Sequence, residues 1–181
     1  FHDGALVHTA VLAVGGHQLT NDIAVGLRTP RADADRIKHR HGCAISAFVD
    51  ESEMIEVPSV GGRAPEVLPR RRLTEIIEPR VEEIFSLVRN ELARTGYAEL
   101  LGSGVVITGG TSILEGMPEL AAGVLELPVR RGAPKGVGGL ADVVASPAFA
   151  TAVGLVQYGA RAAGHNPLGV GGSARPSDNV Y

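Results

Sequence analysis

Residues 105–117, VVITGGTSILEGM, run an apolar strand straight into two adjacent glycines, with a helix following a few residues later. A strand ending in Gly109-Gly110 presents bare backbone at the edge of a sheet. Two arrangements call for that: a tight packing corner, or a ligand lying directly against the main chain. The stretch has neither the glycine spacing of a dinucleotide fingerprint nor the lysine of a P-loop, so on its own it leaves both open.

The rest of the chain alternates strand and helix patterns. ALVHTAVLAV (5–14) is β-rich and reads as a strand entering a turn at Gly15-Gly16. Leu19, Ile23 and Leu27 then fall at i, i+4 and i+8, the stripe of an amphipathic helix. Thr29-Pro30 reads as an N-cap with proline at the first helical position, opening a second helix through about His41. Ala34 and Ile37 face inward on that helix, with the charged residues around them elsewhere. EMIEV (53–57) alternates as a short strand, and 58–72 reads as a long connection rich in Pro, Gly and Arg.

The longest helix is expected from about Arg71 to Arg94. Leu73, Ile76, Ile77, Val81, Ile84, Leu87, Val88 and Leu92 give it one continuous apolar face. Pro79 removes a donor within it and should kink it. A buried strand at GVVIT, a helix from Met117 to Leu125 and a short strand at LPVRRG follow. SPAFATAVGLVQYGAR repeats the Ser-Pro helix start, with Ala148, Ala152, Leu155 and Val156 expected inside; the tail from residue 164 reads as a flexible linker. This order predicts an α/β chain with a sheet at least partly parallel.

Composition narrows the chemistry. A net charge of −3 gives no general reason to expect nucleic acid or an anionic membrane as partner. The one cysteine, Cys43, excludes an intramolecular disulfide framework and fits a reducing compartment. It sits in HGCAIS beside His39 and His41, but no second cluster completes a zinc site, so it reads as a buried structural thiol. No apolar run approaches the roughly 20 residues of a membrane span. The opening FHDGALVHTAVLAVGG has no initiating Met and no basic signal region, and reads as a piece of something larger.

Asp35 and Lys38 lie three apart on one face of the second helix, with His39 beside Lys38. Taken separately they read as solvated surface residues. Combined with a glycine turn elsewhere in the chain they would form a nucleoside clamp, glycine backbone below and polar side chains above. A third possibility, an α/β enzyme using the turn directly, lacks a Ser–His–Asp or paired-carboxylate set beside Gly109-Gly110. No catalytic residue and no metal ligand is assigned.

Six stretches carry a resemblance: HTAVLAVGGHQLTNDIAVGLRTP, DADRIKHRHGCA, IEVPSVGGRAP, LTEIIEPRVEEIF, VVITGGTSILEGM and SPAFATAVGLVQYGAR. In this order, from about residue 5 to 161, the chain resembles the second half of FtsA, the actin-like family of bacterial cell division. The resemblance implies an actin-like (ribonuclease H-like) α/β fold of which only the second half is present. Residues 1–29 and 101–163 would form subdomain 2A, 30–100 subdomain 2B, and 164–181 a linker. Other actin-fold ATPases, such as pilus-assembly or Hsp70-like relatives, share the Thr-Gly-Gly corner but should lack the IEPRVEEIF helix.

The resemblance also implies a site and partners. Thr108, Gly109, Gly110, Thr111 and Ser112 would lie against the sugar and base of ATP or ADP, with Asp35, Lys38 and His39 closing over them. The phosphates and Mg2+ would be held by turns preceding residue 1, so this chain alone is expected not to hydrolyse ATP. Arg63, Arg72 and Arg80 are the candidates for binding the C-terminal tail of the tubulin-like ring protein FtsZ. The parent protein would self-associate into actin-like filaments, meet later division proteins, and work at the cytoplasmic face of the inner membrane at the septum. It would reach that membrane through a segment not present in this chain.

Overall fold

The computed structural model describes residues 1, 5–97, 100–138 and 141–162. The expected linker at 164–181 lies outside them. The longest element organises the rest. Helix α3 (Arg70–Thr95) runs unbroken through Pro79 and ends at Gly96, whose left-handed φ of 74° suits a glycine C-cap. Its inward stripe of Leu73, Ile77, Val81 and Phe85 is buried, and it packs against α1 (Gly16–Gly26) and α4 (Met117–Leu125). Leu19 and Ile23 from α1 and Met117, Ala121 and Leu125 from α4 complete that core. Gly26 lets α1 approach closely: a Cβ there would sit 2.7 Å from Ile76 Cδ1.

Two small sheets flank these helices. Strands β1 (Met54–Val57) and β2 (Glu66–Pro69) pair antiparallel, Ile55 opposite Leu68 and Val57 opposite Glu66. Alternation buries Ile55 and Val57. Strands β3 (Val105–Ile107) and β4 (Val129–Arg131) pair parallel across α4, a βαβ unit. Helix α2 (Arg31–His41) packs on α1 through Ala34 and Ile37. Helices α5 (Ala141–Val144) and α6 (Ala150–Ala162) close the described order.

Four expectations need correction. Residues 6–14 form no strand: Val11 is 93% exposed, and among the described residues no ladder partner runs beside them, without which β-propensity has nothing to act on. Thr29 does not cap α2; Pro30 takes that position and the Thr29 hydroxyl is buried without a partner. The connection at 58–72 contains β2 and the first turn of α3, an edge pairing that its prolines disguise. On α6, Ala148 (in the turn before it), Ala152, Leu155 and Val156 are exposed, while Val153, Gln157 and Ala160 are half-buried. Its Ser146-Pro147 start is as expected, the serine hydroxyl accepting from the Ala148 amide.

Candidate functional site

A cavity of about 540 Å³ opens between the start of α1, the later turns of α2 and the turn after β3. Anchoring Ala34 and Ile37 in the core rotates Asp35, Lys38 and His39 onto the adjoining face of α2, where all three line it. Lys38 is only 6% exposed. Its ammonium donates to Asp35 Oδ1 at 2.7 Å, to Thr20 Oγ1 at 2.7 Å and to the Gly16 carbonyl at 3.3 Å. An ammonium has three donors, and all three are used inside the protein. Lys38 therefore ties α2 to α1.

Asp35 keeps one oxygen in that knot and leaves the other free. The Lys38 hydrogen bond, helped by the Thr20 hydroxyl 2.9 Å away, holds its carboxyl below the usual aspartate value. Its Oδ2 lies 3.6 Å from His39 Nε2, and both side chains are about half or more exposed. This pair is the polar edge that α2 offers to a ligand.

The glycine turn forms the opposite wall. Gly109 has φ 92°, the left-handed region, and donates its amide to the Pro147 carbonyl at 3.0 Å. Gly110 begins a tight 3₁₀ turn through Ile113, and a Cβ built on it would meet nothing within 4 Å. Gly110 and Thr111 line the cavity. Thr108 donates instead to the Gly132 carbonyl at 2.9 Å, and buried Ser112 donates to the Gly109 carbonyl at 2.7 Å. Thr108, Gly109 and Ser112 thus shape the turn that Gly110 and Thr111 present.

Several contributors carried no sequence signal as site residues. Thr20 sits in a helix read only for its apolar stripe, and Gly16, read as part of a turn, is the first residue of that helix. Arg131, at the end of β4, donates from Nε to the Ser112 carbonyl and from a terminal nitrogen to the Leu114 carbonyl at 2.7 Å, pinning the turn from behind. Arg70, in the first turn of α3, lines the cavity and binds Glu53 and Glu115. Their signal is visible only once the fold brings the turn beside them.

The HGC cluster resolves in favour of structure. Cys43 is fully buried, burial pushes its thiol pKa up, and its Sγ donates to the Ile45 carbonyl at 3.3 Å. Burial, followed by the charges of Arg40 and Arg70, lowers His41. Among the described residues no three His, Cys, Asp or Glu side chains group around a common point suited to a metal.

The three arginines considered for partner binding differ in setting. Arg63, in the β1–β2 connection, and Arg72, early in α3, are exposed. Arg80 is engaged: Nε donates to Asp22 Oδ2 at 2.5 Å and a terminal nitrogen to Asp22 Oδ1 at 3.2 Å, with Glu83 on the remaining nitrogen. That fork joins α1 to α3.

The family model described as Cell division protein FtsA matches residues 1–154. The chain belongs to the FtsA family. It is 48% identical over 179 residues to the FtsA of Pseudomonas aeruginosa, covering 98% of this chain and 43% of the relative. Identity to the FtsA of Escherichia coli K12 is 45% over 163 residues, covering 86% of this chain and 39% of that protein. For Neisseria meningitidis the match is 41% over 168 residues, 92% of this chain and 41% of the relative. The chain thus spans about two fifths of the curated relatives it matches.

Solved structures place the fold. MreB5 of Spiroplasma citri bound to ADP superposes with a TM-score of 0.62 at 14% identity, covering 81% of this chain and 44% of that one. The same protein bound to AMPPNP gives 0.60, covering 88% and 50%. The actin-like α/β fold expected from the sequence is therefore present, in part. Among the described residues no helix is long and apolar enough to cross a membrane.

Proposed function

We propose that this chain is the base-side and partner-binding half of an ATP-binding, actin-like cell-division protein that recruits the FtsZ ring to the inner face of the cytoplasmic membrane. The observation that carries the nucleotide part is the meeting of Gly110-Thr111 with the Asp35–His39 edge of α2 across one cavity. Its volume of about 540 Å³ falls in the range of roughly 300–1,000 Å³ typical of small-molecule sites.

The residues fit a nucleoside. Gly110 offers side-chain-free backbone that a flat ring or a sugar can lie against. Asp35 Oδ2 is an acceptor suited to ribose hydroxyls, and His39 an edge that can donate or accept. Magnesium is a different matter: the described residues gather no ligand set for it, so no step is assigned to it through this chain.

The partner part rests on family membership and on the arginines. Arg63 and Arg72 offer exposed guanidinium groups, and Arg80 offers one that must first leave Asp22. Each suits an acidic peptide segment through paired hydrogen bonds. Self-association into filaments, contact with later division proteins and septal membrane location belong to the same proposal. It is tested by two titrations of full-length protein, one with a fluorescent ADP and one following the anisotropy of a labelled FtsZ tail peptide against a scrambled control. Saturable binding of both ligands supports the reading; folded protein that binds neither overturns it.

A further inference from the structure

We infer that Arg70 is a positioning residue for the cavity: it clasps the C-terminal end of α2 to the segment after the glycine turn, and links both walls to the start of α3. The inference rests on the nucleotide reading of the cavity and adds a route by which occupancy would be felt elsewhere.

Each nitrogen of the Arg70 guanidinium has its own protein acceptor. Nε donates to the His41 carbonyl at 2.8 Å, one terminal nitrogen to Glu53 Oε2 at 2.8 Å and the other to Glu115 Oε2 at 2.6 Å. His41 is the last residue of α2, so its carbonyl has no intrahelical donor, and a cation there also meets the negative end of the helix. Glu115 lies just past the glycine turn, after its last residue, Ile113, and then Leu114. Glu53 fixes Arg70 a second time, its carbonyl accepting the Arg70 amide at 2.8 Å. The side chain is 14% exposed, so these partners face little competition from water.

The seam that Arg70 spans has no slack. The Ala44 amide donates to the Glu115 carbonyl at 2.8 Å, and Cys43 and Glu115 form a parallel bridge. A Cβ on Gly42 would lie 2.6 Å from Leu114 Cδ2. At the other side of the cavity the walls meet through Gly16 and Thr111. A ligand that draws α2 and the turn together, or holds them apart, must therefore work against the Arg70 clasp. Arg70 is also the first residue of α3, and Arg80 lies on the same helix. Displacement of the seam would shift the N-terminal end of the helix that carries Arg72 and Arg80.

The test uses full-length protein with Arg70→Ala, Arg70→Lys and Glu115→Gln, read by hydrogen–deuterium exchange and by titration with fluorescent ADP. Expected for Arg70→Ala is faster exchange confined to residues 42–45 and 110–116, unchanged protection in α1 and mid-α3, and at least tenfold weaker ADP binding. Glu115→Gln should reproduce part of both effects and add nothing on top of Arg70→Ala. Arg70→Lys, which keeps the charge but loses the planar fork that spreads three donors over separate acceptors, should fall between. In wild type, ADP should slow exchange at both segments and at the first turn of α3; in Arg70→Ala the α3 response should vanish. Unchanged exchange, or a rise spread evenly over the chain, overturns the inference. If Arg70→Ala does not fold, Arg70→Lys and Glu115→Gln carry the same readouts. Local loosening in a protein whose wild type takes no ADP supports the clasp and overturns the nucleotide reading instead.

Discussion

Gly16 and Thr111 close on each other at the cavity wall: a Cβ built on Gly16 would come within 2.3 Å of Thr111 Oγ1. One residue belongs to the first turn of α1 and the other to the glycine turn, so the absence of a side chain at Gly16 sets how near the two walls stand. Gly16→Ala should push Thr111 back and weaken fluorescent-ADP binding by about tenfold, which is about 1.4 kcal/mol. Thr111→Ser keeps the hydroxyl and removes a methyl, and should bind as wild type. Equal affinity of Gly16→Ala and wild type would show that this contact does not shape the site.

The Lys38 knot makes a stability prediction. Lys38→Met fills much of the same space but takes the ammonium donor from Thr20 Oγ1 and leaves Asp35 Oδ1 with the Thr20 hydroxyl as its remaining donor. Stranding buried or half-buried polar groups costs about 1–3 kcal/mol, visible as a lower urea midpoint. The pH dependence has a definite sign. The Asp35 carboxyl is held below the ordinary aspartate value of 3.8, chiefly by the Lys38 hydrogen bond. Its contribution is therefore complete above that value and lost as pH falls through the lower folded one. As pH falls through and below 3.8, wild type should lose stability more steeply than Asp35→Asn; parallel curves would remove Asp35 from the knot.

What could be read from the sequence follows from how local each feature is. The α3 stripe and the Met117–Leu125 helix are set by neighbours three and four residues apart, and both formed as expected. Strand 5–14 had the right residues, yet a strand is completed by a partner elsewhere. The helix face with Asp35, Lys38 and His39 and the Gly109-Gly110 corner are local patterns, Thr111 came only with the family resemblance, and Asp35, Lys38, His39, Gly110 and Thr111 all line one cavity. That Lys38 is buried was not legible. Its burial depends on Thr20, 18 residues away, and on a carbonyl at the start of α1. Arg70 escaped for the same reason: its acceptors at 41, 53 and 115 come together only in the folded chain.

At the far end of α3, Glu91 accepts from Arg94 and from His8, which lowers its carboxyl to about 2. His8 lies in the stretch before α1, so this contact straps that stretch to the helix. A carbon-13 titration should show the Glu91 carboxyl still ionised at pH 3, well below the ordinary glutamate value of 4.5. In Arg94→Ala the value should rise toward normal, because the Arg94 hydrogen bond is its largest cause. An unchanged titration in that variant would assign the shift elsewhere.

The Asp22–Arg80 fork makes the last prediction. Arg80 presents two nitrogens to one carboxylate, the geometry by which an arginine would grip an acidic peptide. If Arg80 serves the FtsZ tail, Asp22 is its competitor, and the peptide must displace an intramolecular partner already in place. Asp22→Asn removes that competitor's charge and should tighten tail-peptide binding, while Arg80→Glu should weaken it severalfold. Stability should change little in Asp22→Asn, since both side chains are partly exposed and solvent screens the pair. Anisotropy titrations of both variants separate the possibilities. Tighter binding in one and weaker in the other makes the fork a latch on the partner surface. Loss of stability with no change in affinity makes it a tie between α1 and α3, and leaves Arg63 and Arg72 to hold the peptide.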